Sequence, residues 1–156
     1  MRKYNAGLKM GFIGGVIMVF LYIFNMFILV PIFTNGQMLG YTWSTEMIIW
    51  VIECFLFYFL AHSSAEQQYQ HQVIDDPSEP YAGVQSAAMG ATLLTWLIGW
   101  LFIGARAVLQ DANGYLVMVE PVSLFCALLI TGILAISIGA AVGSSVVHKY
   151  QNIMNS

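Results

Sequence analysis

The stretch "MIIWVIECFLFYFLAH" at residues 47–62 decides the fold class, because it is almost wholly apolar yet carries an acid, Glu53. The rest of the chain has the same character: of its 156 residues, 59% are hydrophobic and 8% are charged. A soluble domain has about 25% charged residues, whereas a run of about 20 apolar residues can cross a bilayer as a helix. The sequence therefore predicts an all-α integral membrane protein.

Four segments are long and apolar enough to be spans, at about residues 7–33, 43–62, 82–106 and 120–147. Runs such as "LFCALLITGILAISI" are continuously apolar, so they lack the alternation of a barrel strand and favour helices. Length and apolar content leave no room for a separate soluble domain, so we predict that residues 1–156 form a single four-helix transmembrane domain. The first apolar run exceeds the about 7–15 residues of a signal-peptide core, so we expect it to be retained. The second helix could continue as a polar helix to about His71, before "DDPSEP" breaks it.

Basic residues predict the orientation of the spans. Arg2, Lys3 and Lys9 precede the first span and Lys149 follows the fourth, whereas Arg106 lies near the opposite side. Cytoplasmic loops and termini are enriched in Lys and Arg, so we expect both termini in the cytoplasm. The sequence contains no N-x-[ST] glycosylation acceptor, which favours a prokaryotic cytoplasmic membrane.

Two pairs of matched segments indicate an internal repeat. "AGLKMGFIGG" at 6–15 aligns with "AGVQSAAMGA" at 82–91, and "SSAEQQYQ" at 63–70 aligns with "SSVVHKYQ" at 144–151. We therefore predict a tandem duplication of a two-helix unit, with repeat units of about 1–76 and 77–156. Because each unit would contain an even number of spans, the repeat would be parallel, with its axis along the membrane normal.

Small residues recur every four positions in three of the spans, which predicts close helix packing. Small residues at this spacing let helix backbones approach each other in lipid. They are Gly7, Gly11 and Gly15 in span one, Gly83, Ala87 and Ala91 in span three, and Ala135, Gly139 and Gly143 in span four. A phosphate-binding glycine loop would need a preceding strand, so packing is the better interpretation. Span two has no such ladder and carries bulky side chains, so we expect it at the edge of the bundle, facing lipid or another protein.

Several polar residues fall within the apolar segments. Glu53 lies about ten residues into span two, or about 15 Å at about 1.5 Å per residue, which is near the expected midplane. The candidates for an intramembrane polar or ion site are Glu53, Glu46, Asn25, Thr95, Thr131 and Arg106. An acid at this depth is a functional candidate by default. The alternative is a neutral, hydrogen-bonded Glu53 that fixes helix packing.

Two histidines suggest a weaker hypothesis of cofactor binding. His62 and His148 follow even-numbered spans and could ligate a haem iron or a chlorophyll-type pigment, and His62 with Glu66 has i, i+4 spacing that suits a metal. A histidine at a helix C-terminus is also explained by the helix dipole, so we predict no cofactor. No basic cluster exists to hold a nucleic acid, and no catalytic constellation is recognisable, so we do not expect an enzyme.

Three functions fit these patterns. The favoured one is a non-catalytic accessory or structural subunit of a larger membrane complex, of respiratory or photosynthetic type. An alternative is a small oligomeric transporter or channel in which Glu53 handles a proton or cation. The third is a haem- or pigment-binding membrane subunit. In each case the expected partners are membrane lipid and either other subunits or further copies of the chain.

Overall fold

The computed structural model describes residues 5–29, 32, 43–112 and 121–154, and the side chains of 43–46, 106–112 and 121–124 lie outside that description. The described residues form four long helices and one π-helical turn, Asn25–Leu29, that continues the first helix. The helices are α1 (Ala6–Phe24), α2 (Trp43–Asp75), α3 (Val84–Ala112) and α4 (Pro121–Met154). Each contains a stretch that is long and apolar enough to cross a membrane. The prediction of four apolar helices is thus confirmed.

Helix α2 extends well past its apolar segment. It continues through the polar residues to Asp75, beyond the expected limit near His71. The helix stops where Pro77 removes a backbone donor and where Ser78 donates amide and hydroxyl hydrogen bonds to Asp76. These bonds lower the pKa of the Asp76 carboxyl below its ordinary value. The polar part of α2 is therefore a helical continuation of the apolar segment.

Gly83 does not belong to a helix-packing ladder, which corrects the sequence interpretation. It precedes α3 and has a φ of 77°, in the left-handed region that favours glycine. Its carbonyl accepts hydrogen bonds from the Ala87 amide at 2.9 Å and from the Ser86 hydroxyl at 2.9 Å. Gly83 thus serves the turn that starts α3, and the third span begins at Val84.

Helix α3 is central to the bundle, since it packs against α1, α2 and α4. Helix α2 also packs against the other three helices, so the expectation that it lies at the edge is only half right. One face of α2 is buried, including Ile49, Phe57 and Leu60, while the opposite face exposes Phe55 and Phe59.

Glycines on α1 let it approach α3 closely. A Cβ added at Gly7 would lie 2.6 Å from the Ala87 carbonyl oxygen, and one at Gly11 would lie 2.7 Å from the Leu94 Cβ. Since real Cβ atoms essentially never come within 3.0 Å of another heavy atom, a larger residue at either position would push the helices apart. Further along α1, a Cβ at Gly15 would lie 2.7 Å from the Ile98 Cβ.

Glycines also allow α3 and α4 to approach each other closely. A Cβ at Gly139 would lie 2.8 Å from the Met89 Cα, and one at Gly143 would lie 2.9 Å from the Gln85 Cα. The small residues Ala87, Ala91 and Ala135 are buried as well. The bundle therefore packs α3 between two glycine-bearing helices.

Candidate functional site

The buried face of α2 is interrupted by a carboxylic acid. Glu53 is 2% exposed and lies one turn from Ile49, which is 0% exposed, and one turn from Phe57, which is 1% exposed. Positions i and i+4 share a helix face, so Glu53 points into the bundle with these two side chains. The acid therefore faces the other helices of its own chain and not a surface where a partner could bind.

A tyrosine on α1 reaches this acid. The Tyr22 hydroxyl donates a hydrogen bond of 2.5 Å to Glu53 Oε1. Gly99 on α3 makes room for the ring, because a Cβ there would lie 3.2 Å from Tyr22 Cε2 and 2.7 Å from Met18 Cγ. Three helices thus contribute to the pair: α2 supplies the acid, α1 the donor and α3 the space.

The backbone changes from α-helix to π-helix three residues after Tyr22. The amide of Asn25 is shared between the carbonyl oxygens of Leu21 and Tyr22, and the π-helical turn begins at Asn25. This turn packs against α2, and Asn25 is buried, with 6% of its surface exposed. Single π-helical turns within α-helices frequently occur at functional sites.

Thr131 forms a second polar contact, between α3 and α4. Its hydroxyl oxygen accepts hydrogen bonds of 3.1 Å from the indole nitrogens of both Trp96 and Trp100. The same hydroxyl donates to the carbonyl oxygen of Ala127, one turn earlier on α4, at 2.8 Å. Gly132 admits the first indole, since a Cβ there would lie 3.0 Å from Trp96 Cζ2.

Thr95 joins α3 to α1. Its hydroxyl lies 3.2 Å from the carbonyl oxygen of Gly11 and 2.8 Å from that of Ala91 on its own helix. Thr95 is fully buried. Threonine hydroxyls can satisfy backbone carbonyls within and between helices in this way.

At the polar end of the bundle, α2 and α4 meet through charged and aromatic side chains. Lys149 Nζ donates to Glu66 Oε1 at 2.8 Å, and His62 Nε2 lies 3.7 Å from the same oxygen. The Tyr69 and Tyr150 rings stack with centroids 3.9 Å apart. Tyr81 also stacks on Tyr69, with centroids 5.8 Å apart, and burial raises the pKa of the Tyr81 hydroxyl.

Hydrogen bonds near the helix termini show which helix ends lie together. The amide of Ala6, at the start of α1, donates to Gln68 Oε1 on α2 at 3.3 Å. Gln85, near the start of α3, donates to the Ser144 hydroxyl on α4 at 3.3 Å. The start of α1, the polar extension of α2, the start of α3 and the end of α4 therefore form one end of the bundle.

Comparison with protein-family models, with curated proteins and with solved structures found no significant match.

Three of the six residues predicted as an intramembrane polar site have described contacts, and these contacts lie between different pairs of helices. Glu53 contacts Tyr22, while Thr131 and Thr95 engage other helix pairs. Glu46 and Arg106 lie on α2 and α3, and their side chains fall outside the described residues.

The sequence pattern did not indicate four of the residues in these contacts, namely Tyr22, Trp96, Trp100 and Gly99. For Tyr22 a signal was present, since it lies three residues before Asn25 and therefore on the same helix face.

The histidines predicted for a cofactor lie in different surroundings. His62 stacks on Tyr58, with centroids 6.2 Å apart, and faces Glu66. His148 is exposed, and its neighbour Lys149 bonds to Glu66 on α2. Within the described part of the chain, no group of three or more His, Cys, Asp or Glu residues could hold a metal ion.

Proposed function

We propose that this chain is a non-catalytic accessory subunit of a larger membrane protein complex, of respiratory or photosynthetic type. The observation that supports the proposal is the distribution of polar and apolar side chains between the interior and the surface of the bundle. Glu53, Thr95 and Thr131 point inward and bond within the chain, whereas bulky apolar side chains point outward. Such a molecule offers other membrane proteins a packing surface.

The outward face of α2 is the part of this surface that best suits a protein partner. A row at four-residue spacing consists of Met47, Val51, Phe55 and Phe59, which are 62%, 57%, 72% and 65% exposed. Aromatic residues and Met are enriched in protein interfaces. The same helix continues past its apolar segment to Asp75, so one partner could contact both the apolar and the polar part of α2.

The test is extraction of the tagged chain from its native membrane in mild detergent, followed by native electrophoresis and mass spectrometry. We expect distinct membrane subunits in fixed stoichiometry. The double change Phe55→Ala and Phe59→Ala should weaken their retention by about tenfold, equivalent to about 1.4 kcal/mol.

A matched control on α1 distinguishes a partner from lipid. Phe12 and Phe20 are 64% and 67% exposed, close to the values for the two α2 residues, so Phe12→Ala with Phe20→Ala should leave the complex intact. Isolation of the wild-type chain as a lone homo-oligomer would refute the proposal. Equal losses from the α1 and α2 variants would also count against it.

The second candidate function is a small oligomeric transporter or channel for protons or cations. One observation favours it: Glu53 is buried among apolar side chains and bonded to Tyr22. Proteoliposome flux tests this candidate, with Glu53→Gln as the variant and Glu66→Gln as the control. Flux that is present and survives Glu53→Gln would exclude the acid as the ion site.

We further propose that both termini lie in the cytoplasm of a prokaryotic cell. The support is the predominance of Lys and Arg at the end of the bundle that contains Lys9 and Lys149. A C-terminal green fluorescent protein should fluoresce, and a C-terminal alkaline phosphatase should be inactive. The opposite pair of results would reverse the orientation.

The tandem duplication is also proposed, with one contact in its support. Tyr69 and Tyr150 occupy matched positions of the two aligned segments and stack on each other. Equivalent residues meet in this way near a two-fold axis. The duplication relates α1 to α3 and α2 to α4, so an exact two-fold axis would match the α2–α3 contact with an α1–α4 contact. The symmetry is imperfect, because the extensive contact between α2 and α3 has no equal counterpart between α1 and α4 in the described residues. An experimental structure in which the two helix pairs fail to superpose would refute the duplication.

A further inference from the structure

Glu53 has the features of a built site and not those of a stray polar residue. It is 2% exposed, its Oε1 accepts the Tyr22 hydroxyl, and Gly99 provides the space for the Tyr22 ring. The π-helical turn that starts at Asn25 packs against α2 one turn further along α1. A side chain that only filled space between the helices would need neither a hydrogen-bond donor nor a glycine that makes room for that donor.

The apolar setting makes the charged form of Glu53 expensive. A carboxylate at the centre of a bilayer is unfavourable even on the most lenient scale. A hydrogen bond to a charged group is stronger than one between neutral groups, so the Tyr22 hydroxyl offsets part of this cost. Taking up a proton removes the cost altogether, while Oε1 can still accept the tyrosine hydrogen bond as a carbonyl oxygen.

Among the described side chains, few other titratable groups lie near Glu53. Tyr22 faces it from α1, and Cys54 is its neighbour on α2. Residues 84–105 of α3 contain no Asp, Glu, Lys, Arg, His, Cys or Tyr, and residues 125–147 of α4 contain from that set Cys126 alone, which is exposed. The Arg106 side chain lies outside the described residues, so an ion pair with it is an outcome that the experiment must distinguish.

The geometry points to Glu53 as a proton-binding site inside the helix bundle, with Tyr22 as its positioning residue. The ligand is a proton, held as the neutral carboxylic acid at the contact of α1 and α2. This inference does not depend on the proposed function, because a subunit and a transporter could each contain such a site.

Dicyclohexylcarbodiimide, a membrane-soluble carbodiimide, tests the site directly. A neutral carboxyl adds to the reagent: its oxygen bonds to the central carbon and its proton passes to a nitrogen. The acyl group then migrates to nitrogen and gives a stable acylurea, with no leaving group. The protein therefore gains the full mass of one reagent molecule, which peptide mapping by mass spectrometry locates.

The wild-type protein in lipid vesicles should be labelled at Glu53, with a rate that falls as the pH rises between about pH 5 and pH 9. Glu66 is the control acid on the same helix, because Lys149 pairs with it. We expect Glu53 to react at least about tenfold faster than Glu66, a ratio that corresponds to one unit of pH. Glu53→Gln should abolish the mapped adduct.

Absence of labelling at Glu53 across that pH range would overturn the inference, since it would mean that the acid is held ionised by a cation such as Arg106. Labelling of Glu53 no faster than that of Glu66 would overturn it too.

Tyr22→Phe tests the positioning role. A hydroxyl donor stabilises a carboxylate more than the neutral acid, so its loss should extend labelling to higher pH by about one unit. An unchanged pH profile would remove Tyr22 from the site.

Discussion

Gly7 on α1 and Ala87 on α3 bring two helix backbones into direct contact: a Cβ at Gly7 would lie 2.6 Å from the Ala87 carbonyl oxygen and 3.0 Å from the Ala87 Cα. Both obstacles are backbone atoms, which cannot rotate away as a side chain can. Association of helices in lipid depends on this kind of close packing. A methyl group added at position 7 would therefore destabilise the packing of α1 against α3.

We expect Gly7→Ala to destabilise the protein by about 1–3 kcal/mol, as overpacking does. Gly90→Ala is the matched control on α3, because its added Cβ would meet only the Gly7 Cα at 4.0 Å. The control should be neutral or stabilising by up to about 1 kcal/mol, since Ala favours a helix over Gly. Reversible unfolding in detergent, followed by circular dichroism, measures both. Equal effects of the two changes would contradict the close contact.

Thr131→Val is expected to leave the indole N–H groups of Trp96 and Trp100 without their acceptor on α4. The loss should cost about 1–2 kcal/mol, in the upper range for side-chain hydrogen bonds between membrane helices. Thr92→Val is the control, because the hydroxyl of this buried threonine bonds to the carbonyl oxygens of its own helix. Thermal unfolding compares the stabilities, and tryptophan fluorescence should shift for Thr131→Val alone. A larger cost for Thr92→Val would refute the prediction.

The helices could be predicted from the sequence, because apolar runs about 20 residues long have few other solutions in a membrane. The sequence did not allow a prediction of which face of each helix is buried. In water, the apolar face of a helix turns inward, but lipid tails are as apolar as the core. Phe57 and Phe59 illustrate this ambiguity: they lie two residues apart on α2, yet Phe57 is 1% exposed and Phe59 is 65% exposed.

The candidate site was predictable only in part, for the same reason. Glu53 was conspicuous in the sequence because an acid is rare in an apolar run. Its donor, Tyr22, was not, since an aromatic residue in a span could equally face lipid. Gly99 continues the four-residue register of Ala87 and Ala91, but the space that it provides for Tyr22 becomes visible only when α1 and α3 are seen together. Gly83 was wrongly assigned because it precedes Ala87 by four residues, although the turn-forming Pro80 just before it indicated a loop.

The ion pair between Lys149 and Glu66 should contribute little to stability despite its 2.8 Å distance. Lys149 is 52% exposed and Glu66 is 27% exposed, and pairs in such settings contribute about 0–1 kcal/mol. We expect Lys149→Gln and Glu66→Gln each to cost less than about 1 kcal/mol, with a combined cost smaller than the sum of the two. Unfolding of the single and double variants at low and high salt measures the coupling. A coupling above about 2 kcal/mol that resists salt would contradict this prediction.

Visible absorbance tests the remaining cofactor hypothesis for His62 and His148. Because His62 faces Glu66 and Tyr58 while His148 is exposed, we expect the protein purified from its native membrane to show no haem or chlorophyll band. A band that disappears in both His62→Ala and His148→Ala would refute this expectation and would identify the chain as a haem- or pigment-binding subunit.

Gly83→Ala should destabilise the turn between α2 and α3. A φ of 77° costs a residue with a Cβ about 1–2 kcal/mol, and space is not the obstacle, since the nearest atom to an added Cβ is Gln68 Nε2 at 3.6 Å. Gly83→Asn is the matched control, because Asn tolerates left-handed backbone better than Ala does. In thermal unfolding, the Asn variant should therefore recover part of the stability that the Ala variant loses. An Ala variant as stable as the wild type would mean that Gly83 does not need a positive φ, and it would reopen the sequence-based assignment of Gly83 to the packing ladder of α3.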